Sequence, residues 1–216
     1  QTAKQVIMQK FNAAKLSFIK LKENNDMPKG YSLEMITEFN KRYFLFYSLW
    51  DKSNEKEQLF YREIDFENCS FTGTGKLMVK VDGKITGSSV VNIGFWSMGV
   101  TDKFSFNFSY DKSKMLVQYR KKPKIKDDSQ NYDVIGLFVF DEYMEKTWGE
   151  EVKMPYTEEK MNNLDYSIDA AGNAYILTTV KDNTAGGSKA KYHMELLRIE
   201  ASSTNIEKTK IEVGKK

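Results

Sequence analysis

The sequence is poor in the residues that build disulfides and metal centres: its 216 residues include one cysteine, one histidine and three prolines. Cys69 alone cannot form an intramolecular disulfide, and Cys69 with His193 supplies too few ligands for a transition-metal centre. Asp127, Asp128 and Asp133 lack the Asp-x-Asp-x-Asp-Gly spacing of a calcium-binding loop. We therefore expect no metal and no cofactor.

Charge of one sign and long apolar runs are also missing. Lysine and arginine total 33 against 30 aspartates and glutamates, and the sequence has no concentrated basic stripe, which argues against nucleic-acid binding. No apolar run approaches the roughly 20 residues that cross a bilayer, so we expect no transmembrane segment. The chain starts at Gln1 rather than at a methionine. That start favours the mature end of an exported, periplasmic or cell-surface protein, and a boundary without biological meaning is the alternative.

Aromatic residues are plentiful, at 13%, and they favour sheets because half-buried strand surfaces accommodate flat rings. The clearest pattern begins at Phe104, where alternate residues are phenylalanine, and apolar runs follow at 115–119 and 134–140. Period-2 alternation between polar turns predicts short antiparallel strands. The residues predicted to form the core of these strands are Phe106, Phe108, Leu116, Leu137, Val139, Ile168, Ile176 and Leu197.

The same order of strands recurs along the chain. Three predicted strands read QLFYREID, IGLFVFD and MELLRIE, and they end at Asp65, Asp141 and Glu200. The recurrence predicts an all-β fold of antiparallel, four-stranded β-propeller blades, in one array over residues 1–216. The predicted segments are blades at 31–81, 103–155 and 164–213, with the outer strand pair of an incomplete blade at 4–28.

Three to four blades make a short array, because closed propellers typically have at least four. We therefore expect the chain to be part of a larger propeller. Further blades of the same polypeptide, or a tightly bound protein, would supply the rest. A self-contained twisted sandwich is the alternative.

Two segments fall outside the recurring pattern. Residues 82–102 are rich in glycine and serine and predict a long connection, with the rings of Phe95 and Trp96 docked on the body. Residues 156–163 predict one short helical turn before the last blade.

Two turns resemble known propeller hairpins. The stretch FSYDKSKMLV at 108–117 is similar to the TolB-like β-propeller signature, in which an aromatic-Ser-Pro-Asp-Gly turn joins the two inner strands. Tyr110 stands where proline is usual, and Lys112-Ser113 replace the glycine. The stretch DAAGNAY at 169–175 resembles the Asp-x-x-Gly-Asn-x-Tyr hairpin of other propellers, of the WD type. The resemblance implies a propeller repeat protein and no particular function.

The chemistry of these two turns supports the same interpretation. Asp111 and Asp169 can accept hydrogen bonds from the backbone two residues further on. Gly172 or Asn173 can adopt the left-handed conformation that a tight turn requires.

Candidate catalytic residues are few. His193 starts a strand with no nucleophile motif beside it, so we interpret it as a surface or half-buried strand residue. Cys69 lies in a polar turn and is interpreted as a small filler rather than a reactive thiol. Asp65, Asp141 and Glu200 would share one rim, where some glycosidases hold acid–base carboxylates. Their recurrence at one blade position favours turn capping instead.

Lysine-bearing loops at 51–57, 121–133 and 181–191 follow the second strand of each predicted blade, so they would emerge on one face. Such a face attracts an anionic partner or an acidic protein surface. The alternative is a solvated surface that keeps the loops soluble. The candidate partner-binding residues are Lys52, Lys56, Lys121, Lys122, Lys124, Lys126, Lys181, Lys189 and Lys191.

These features predict a non-catalytic β-propeller scaffold for protein–protein interaction or assembly, in an exported, cell-envelope or membrane-associated complex. The partner would be a protein or further blades of the same polypeptide. The alternative is a carbohydrate-active or glycan-binding propeller that uses rim carboxylates with Trp50, Trp96 and Trp148. Catalysis is left open, and the lack of nucleophile, metal and phosphate motifs argues against it.

Overall fold

The computed structural model describes residues 5–86, 90–93, 96–99, 103–122, 127, 129–182 and 191–212, with the backbone alone for 90–93 and 96–99. Strands account for 69% of it, and the described residues contain no helix. The prediction of an all-β, antiparallel fold is therefore confirmed for this part of the chain. The chain divides into two compact units, Gln1–Ile85 with Thr101–Lys103, and Thr86–Val100 with Phe104–Lys216.

The first unit contains a hairpin and a four-stranded antiparallel sheet in the order β3-β4-β5-β6. The hairpin consists of β1 (Val6–Asn12) and β2 (Ser17–Asn24). The strands of the sheet are β3 (Ser32–Phe39), β4 (Arg42–Asp51), β5 (Lys56–Asp65) and β6 (Ser70–Asp82).

The second unit contains two further antiparallel sheets. One is five-stranded, with the path β10-β11-β12-β13 and one further short strand paired with β11, and the other is a four-stranded meander in the order β14-β15-β16-β17. The first consists of β10 (Ser105–Phe108), β11 (Lys114–Lys121), β12 (Tyr132–Asp141) and β13 (Lys146–Thr157). The second consists of β14 (Met161–Ile168), β15 (Ala174–Lys181), β16 (Tyr192–Ile199) and β17 (Ile206–Ile211). Along the sequence, β6 is followed by three short strands before β10: β7 (Ile85–Thr86), β8 (Val90–Ile93) and β9 (Trp96–Gly99).

Residues with positive φ close the turns between successive strands. Asn40 and Lys41 form the two-residue β3–β4 turn with φ of 49° and 60°, the geometry that matches the twist of a hairpin. In the β10–β11 turn, Lys112 adopts φ of 56° at the place where the TolB-like signature has glycine. Gly172 does so in the β14–β15 turn, with φ of 89°, which confirms the left-handed position predicted there.

Acidic side chains fasten two of these turns. The Asp111 carboxylate accepts the amide of Ser113 at 3.1 Å and the hydroxyl of Ser109 at 2.6 Å. The Asp169 carboxylate accepts the amide of Asn173 at 2.9 Å. The prediction is confirmed for Asp111, whose partner Ser113 is two residues on. The amide of Asn173 that Asp169 accepts is four residues on.

The two sheets of the second unit share one apolar core. Leu116, Leu137 and Val139 of one sheet join Ile176 and Leu197 of the other in it, all at zero exposure. Ile168, at 4% exposure, belongs to the same cluster. The core prediction holds for these residues, whereas Phe106 and Phe108 are only half-buried, because β10 is the edge strand of its sheet.

Glycines in the second unit make room for aromatic rings on neighbouring strands. Tyr119 pairs in register with Gly136, and a β-carbon added at Gly136 would lie 2.1 Å from its ring. Phe138 covers its register partner Gly149 in the same way, at 2.2 Å. Rings that cover strand glycines recover contact area that a side chain would otherwise supply, so these pairs fix the register of β11, β12 and β13.

Two sequence predictions are corrected. Residues 82–102 are not simply a connection, because β7 and the hairpin β8–β9 lie within them; the side chains of Phe95 and Trp96 lie outside the described residues. Residues 156–163 do not form a helical turn. Strand β13 runs on to Thr157 and β14 starts at Met161, and Pro155 is tolerated because β13 is an edge strand.

Candidate functional site

An apolar groove runs between the β1–β2 hairpin and the sheet of the first unit. The hairpin packs β2 against β6, and Lys10 of β1 pairs with Glu67 in the β5–β6 turn at 2.6 Å. Asn24, at the end of β2, donates to the carbonyl of Cys69 at 3.2 Å. These contacts hold the hairpin against β6 and the β5–β6 turn. The groove is also lined by residues of β3, β4 and β5.

The edge of β1 forms one wall of this groove. Five consecutive residues, Val6 to Lys10, line it. Because side chains alternate between the two faces of a strand, a run of consecutive residues can share one wall only if the backbone edge faces the groove. Within the described residues β1 pairs only with β2, so its other edge presents unpaired amides and carbonyls.

The floor and the opposite wall are apolar. The cavity measures about 280 Å³, and its remaining lining residues are Ile36, Tyr43, Leu45, Ile64, Phe66 and Cys69. Leu45 is buried, whereas Ile36 and Phe66 are 56% and 52% exposed. The ring of Phe66 stacks on that of Tyr43 at 5.2 Å, which stiffens this wall. The groove therefore combines hydrogen-bonding backbone with exposed apolar side chains.

The predicted lysine face is only partly described. Lys56 pairs with Asp82, Lys121 with Glu151 at 2.6 Å, and Lys181 with Glu159 at 3.0 Å. Lys52, Lys122 and Lys191 are exposed, and the structure gives them no ion pair within its described ranges. Lys124, Lys126 and Lys189 lie outside the described residues, as does Asp128. Three of the described lysines are thus neutralised locally, and the binding face as a whole stays a prediction.

Two of the three rim carboxylates cap turns, as the sequence favours. Asp65 accepts the amide of Asn68 at 3.0 Å, and Asp141 accepts the amides of Tyr143 and Glu145 at 2.9 and 3.0 Å. Glu200 differs, because its carbonyl rather than its carboxylate receives the turn amide.

His193 is the centre of a polar cluster on β16. Its Nδ1 lies 2.7 Å from Asp182 and its Nε2 lies 2.9 Å from Glu195. The hydrogen bond with Glu195, supported by Asp182, raises the pKa of His193. The hydroxyl of Tyr156 also donates to Glu195, at 3.0 Å. Both ring nitrogens are thus engaged by carboxylates. His193 is a half-buried residue of β16, as the sequence predicts.

A second cluster lies around Arg120 of β11. Its guanidinium bridges two carboxylates, Asp133 at 2.5 Å and Glu158 at 2.8 Å. Burial raises the pKa of Asp133 to about 6. Burial also opposes ionisation of Glu158, but hydrogen bonds with Asp133 and Arg120 outweigh it and lower the pKa of Glu158. The pKa of Asp133 is therefore raised and that of Glu158 is lowered, although both carboxyl groups contact the Arg120 guanidinium.

A buried arginine lines a second cavity among the described residues of the first unit. Arg62, at 5% exposure, donates to Asp26 at 2.6 Å and to the carbonyl of Gly73 at 2.7 Å. Its guanidinium lies 4.2 Å from the ring of Phe71. The adjoining cavity of about 370 Å³ is also lined by the stacked rings of Tyr47 and Phe60. Arg62 is already neutralised by Asp26, so this pocket carries no free charge for a ligand.

The remaining candidates have structural roles. Cys69 is buried with φ of 50° in the β5–β6 turn, as expected of a small filler. Trp148 is 6% exposed in the core, and Trp50 is half-buried under Lys84. The described residues hold no cluster of histidine, cysteine and carboxylate side chains suited to a metal ion. They also contain no helix long and apolar enough to cross a membrane.

Sequence reasoning missed the groove and the Arg120 cluster. The groove depends on where the hairpin sits on the sheet, and no local pattern encodes that placement. One signal was available in the sequence: the apolar run Val6–Met8, all three residues of which line the groove.

Comparison of the chain with protein families, with curated proteins and with solved structures found no match in any of the three.

Proposed function

We propose that this chain is a non-catalytic scaffold built from β-propeller-type blades, and that it binds a protein partner through the groove beside β1. The observation that carries the proposal is the open backbone edge of β1 above exposed Ile36 and Phe66. Exposed apolar side chains in a cleft are typical of protein-interaction surfaces. An exported or cell-envelope setting remains part of the proposal.

The blade arrangement is supported by how the two sheets of the second unit pack. Radial stacking brings the first strands of adjacent blades side by side. Here the first strands β10 and β14 are in contact, and Asn107 of β10 donates to the carbonyl of Tyr166 of β14 at 2.9 Å. The TolB-like turn lies at the end of β10 and the second propeller-like turn at the end of β14, at the equivalent place in each meander.

The absence of a reactive site among the described residues supports a non-catalytic role less directly. Asp65 and Asp141 are occupied with turn amides. Trp148 is buried and cannot stack on a sugar ring. The carbohydrate alternative therefore has no specific observation in its favour, whereas the protein-binding proposal has the groove.

Site-specific photocrosslinking in the cell that makes the protein tests the proposal. A photoreactive phenylalanine analogue at Ile36 should give a protein adduct on irradiation. The same analogue at Leu164, which is 48% exposed on the second unit, is the matched control and should give none. Equal adducts from both positions, or none from Ile36, would contradict a binding function for the groove.

A further inference from the structure

The wall of the groove formed by β1 indicates the kind of partner that fits there. An unpaired strand edge offers alternating amide donors and carbonyl acceptors about two residues apart, and a second strand satisfies all of them at once. Val6 to Lys10 present such an edge, and their ladder with β2 is regular over that stretch. A ligand without a peptide backbone would leave these groups unpaired.

The floor of the groove selects side chains on one face of the incoming strand. Leu45 and Ile64 lie at the bottom, and Ile36 and Phe66 line it with more than half of their surface exposed. A strand laid along β1 would direct alternate side chains toward these residues and the others toward solvent. The cavity of about 280 Å³ has room for small branched side chains such as valine.

The positive charge of the hairpin favours acidic residues on the solvent-facing side of the incoming strand. Residues 6–24 contain four lysines and one glutamate. Lys10 is paired with Glu67, while Lys15 and Lys22 are exposed. Two hairpins of this charge would repel each other, which disfavours edge-to-edge pairing of two copies of this chain. An acidic strand would be attracted instead.

We infer that the groove binds an extended segment of a partner polypeptide that adds to β1 as a third strand, with alternating apolar residues facing the groove and acidic residues facing out. This inference rests on the proposed function and gives its binding mode and the chemistry of the partner. Main-chain hydrogen bonds supply affinity in this mode, and the alternate pockets supply specificity.

The probe is a capped peptide of about seven residues that alternates valine with glutamate, a length that matches β1. Titration into the isotope-labelled chain should give saturable binding by NMR, with the largest shifts at the amides of Ile7 and Gln9. A peptide with lysine in place of glutamate should bind at least about tenfold more weakly. Ile36→Ser should weaken binding of the acidic peptide, and Leu77→Ser, at a residue 50% exposed on β6, should not.

Backbone methylation separates strand addition from simple apolar docking. In a strand, the amides of the valines point to one edge and those of the glutamates to the other. N-methylation of one set should abolish binding, and N-methylation of the other should leave the affinity within about threefold. The inference is overturned if both sets bind alike, or if the unmodified peptide shows no saturable binding up to about 1 mM. Failure here with a positive photocrosslink at Ile36 would reject the strand mode and leave the protein-binding function standing.

Discussion

The indole nitrogen of Trp148 donates to the carbonyl of Gly172 at 2.8 Å. Trp148 belongs to β13 and Gly172 to the β14–β15 turn, so this bond fastens one sheet of the second unit to a turn of the next. Gly172 is in the left-handed region, with φ of 89°, and a β-carbon added there would lie 3.6 Å from the Trp148 ring nitrogen. The turn conformation and the sheet packing therefore depend on each other.

Trp148→Phe should lower the free energy of unfolding of the second unit by roughly 2 kcal/mol or more. The carbonyl of Gly172 would be left without its donor in a buried place, which alone costs about 1–3 kcal/mol. Trp50→Phe is the matched control, because Trp50 is only half-buried, and its change should be smaller. Denaturant titrations followed by far-ultraviolet circular dichroism measure both, and equal shifts would contradict the role given to Trp148.

Gly136→Ala should destabilise the sheet β10–β13 by about 1–3 kcal/mol, the usual cost of overpacking. The new methyl group would meet the ring of Tyr119, which lies 2.1 Å from the β-carbon position. A double-mutant cycle with Tyr119→Leu supplies the control, because the alanine should cost less once the ring is gone. If the two changes were simply additive, the proposed contact between Tyr119 and Gly136 would be wrong.

Asp133 should make the stability of the second unit depend on pH between about 4 and 6. Burial raises the pKa of its carboxyl to about 6, against an ordinary value of 3.8. Between those values the folded state binds the proton more tightly than the unfolded state, so this group favours folding at low pH and that contribution is lost as pH rises.

Asp133→Asn removes this titration. The denaturant midpoint of the variant should therefore fall less between pH 4 and pH 6 than the midpoint of the parent protein. Asp127→Asn is a useful control, since hydrogen bonds with Ser129 lower the pKa of that exposed carboxyl. A parent protein that gains stability from pH 4 to 6 relative to Asp133→Asn would contradict the stated direction.

Local sequence rules account well for strands and turns here and poorly for what the strands bury together. Alternation identified β10, β11 and β12, and the Asp-Lys-Ser turn identified the place of Lys112. The register of Tyr119 against Gly136 depends on two strands at once, which a single-strand pattern does not contain. The sequence predicts a plain connection over residues 82–102, because the glycines and serines there interrupt the short apolar pairs of β8 and β9.

The Arg120 and His193 clusters could not be predicted from the sequence, for a similar reason. Arg120, Asp133 and Glu158 come from two strands and a turn, and nothing in their spacing brings them together. His193 was interpreted correctly as a strand residue, but its partners Asp182 and Glu195 depend on the β15–β16 pairing. Partners of a buried charge are set by tertiary packing, which sequence spacing alone does not encode.

His193 should titrate with a pKa above 6.5, because Glu195 and Asp182 stabilise the imidazolium. Its contribution to stability is present below pH 6.5 and is lost as pH rises through the folded-state pKa. The chain has a single histidine, so proton NMR reports this value without assignment. Glu195→Gln should lower the pKa, and a value at or below 6.5 in the parent would show that the cluster does not hold the charged ring.

Among the described residues, strand β1 presents an unpaired edge along the groove. Amide hydrogen exchange followed by NMR tests this directly, without any partner. We expect alternate residues from Val6 to Lys10 to be protected, because only every second amide can reach β2. Strands β4 and β5, which pair on both sides, should be protected at successive residues. Uniform protection from Val6 to Lys10 would mean that another strand already covers this edge, and would contradict the account.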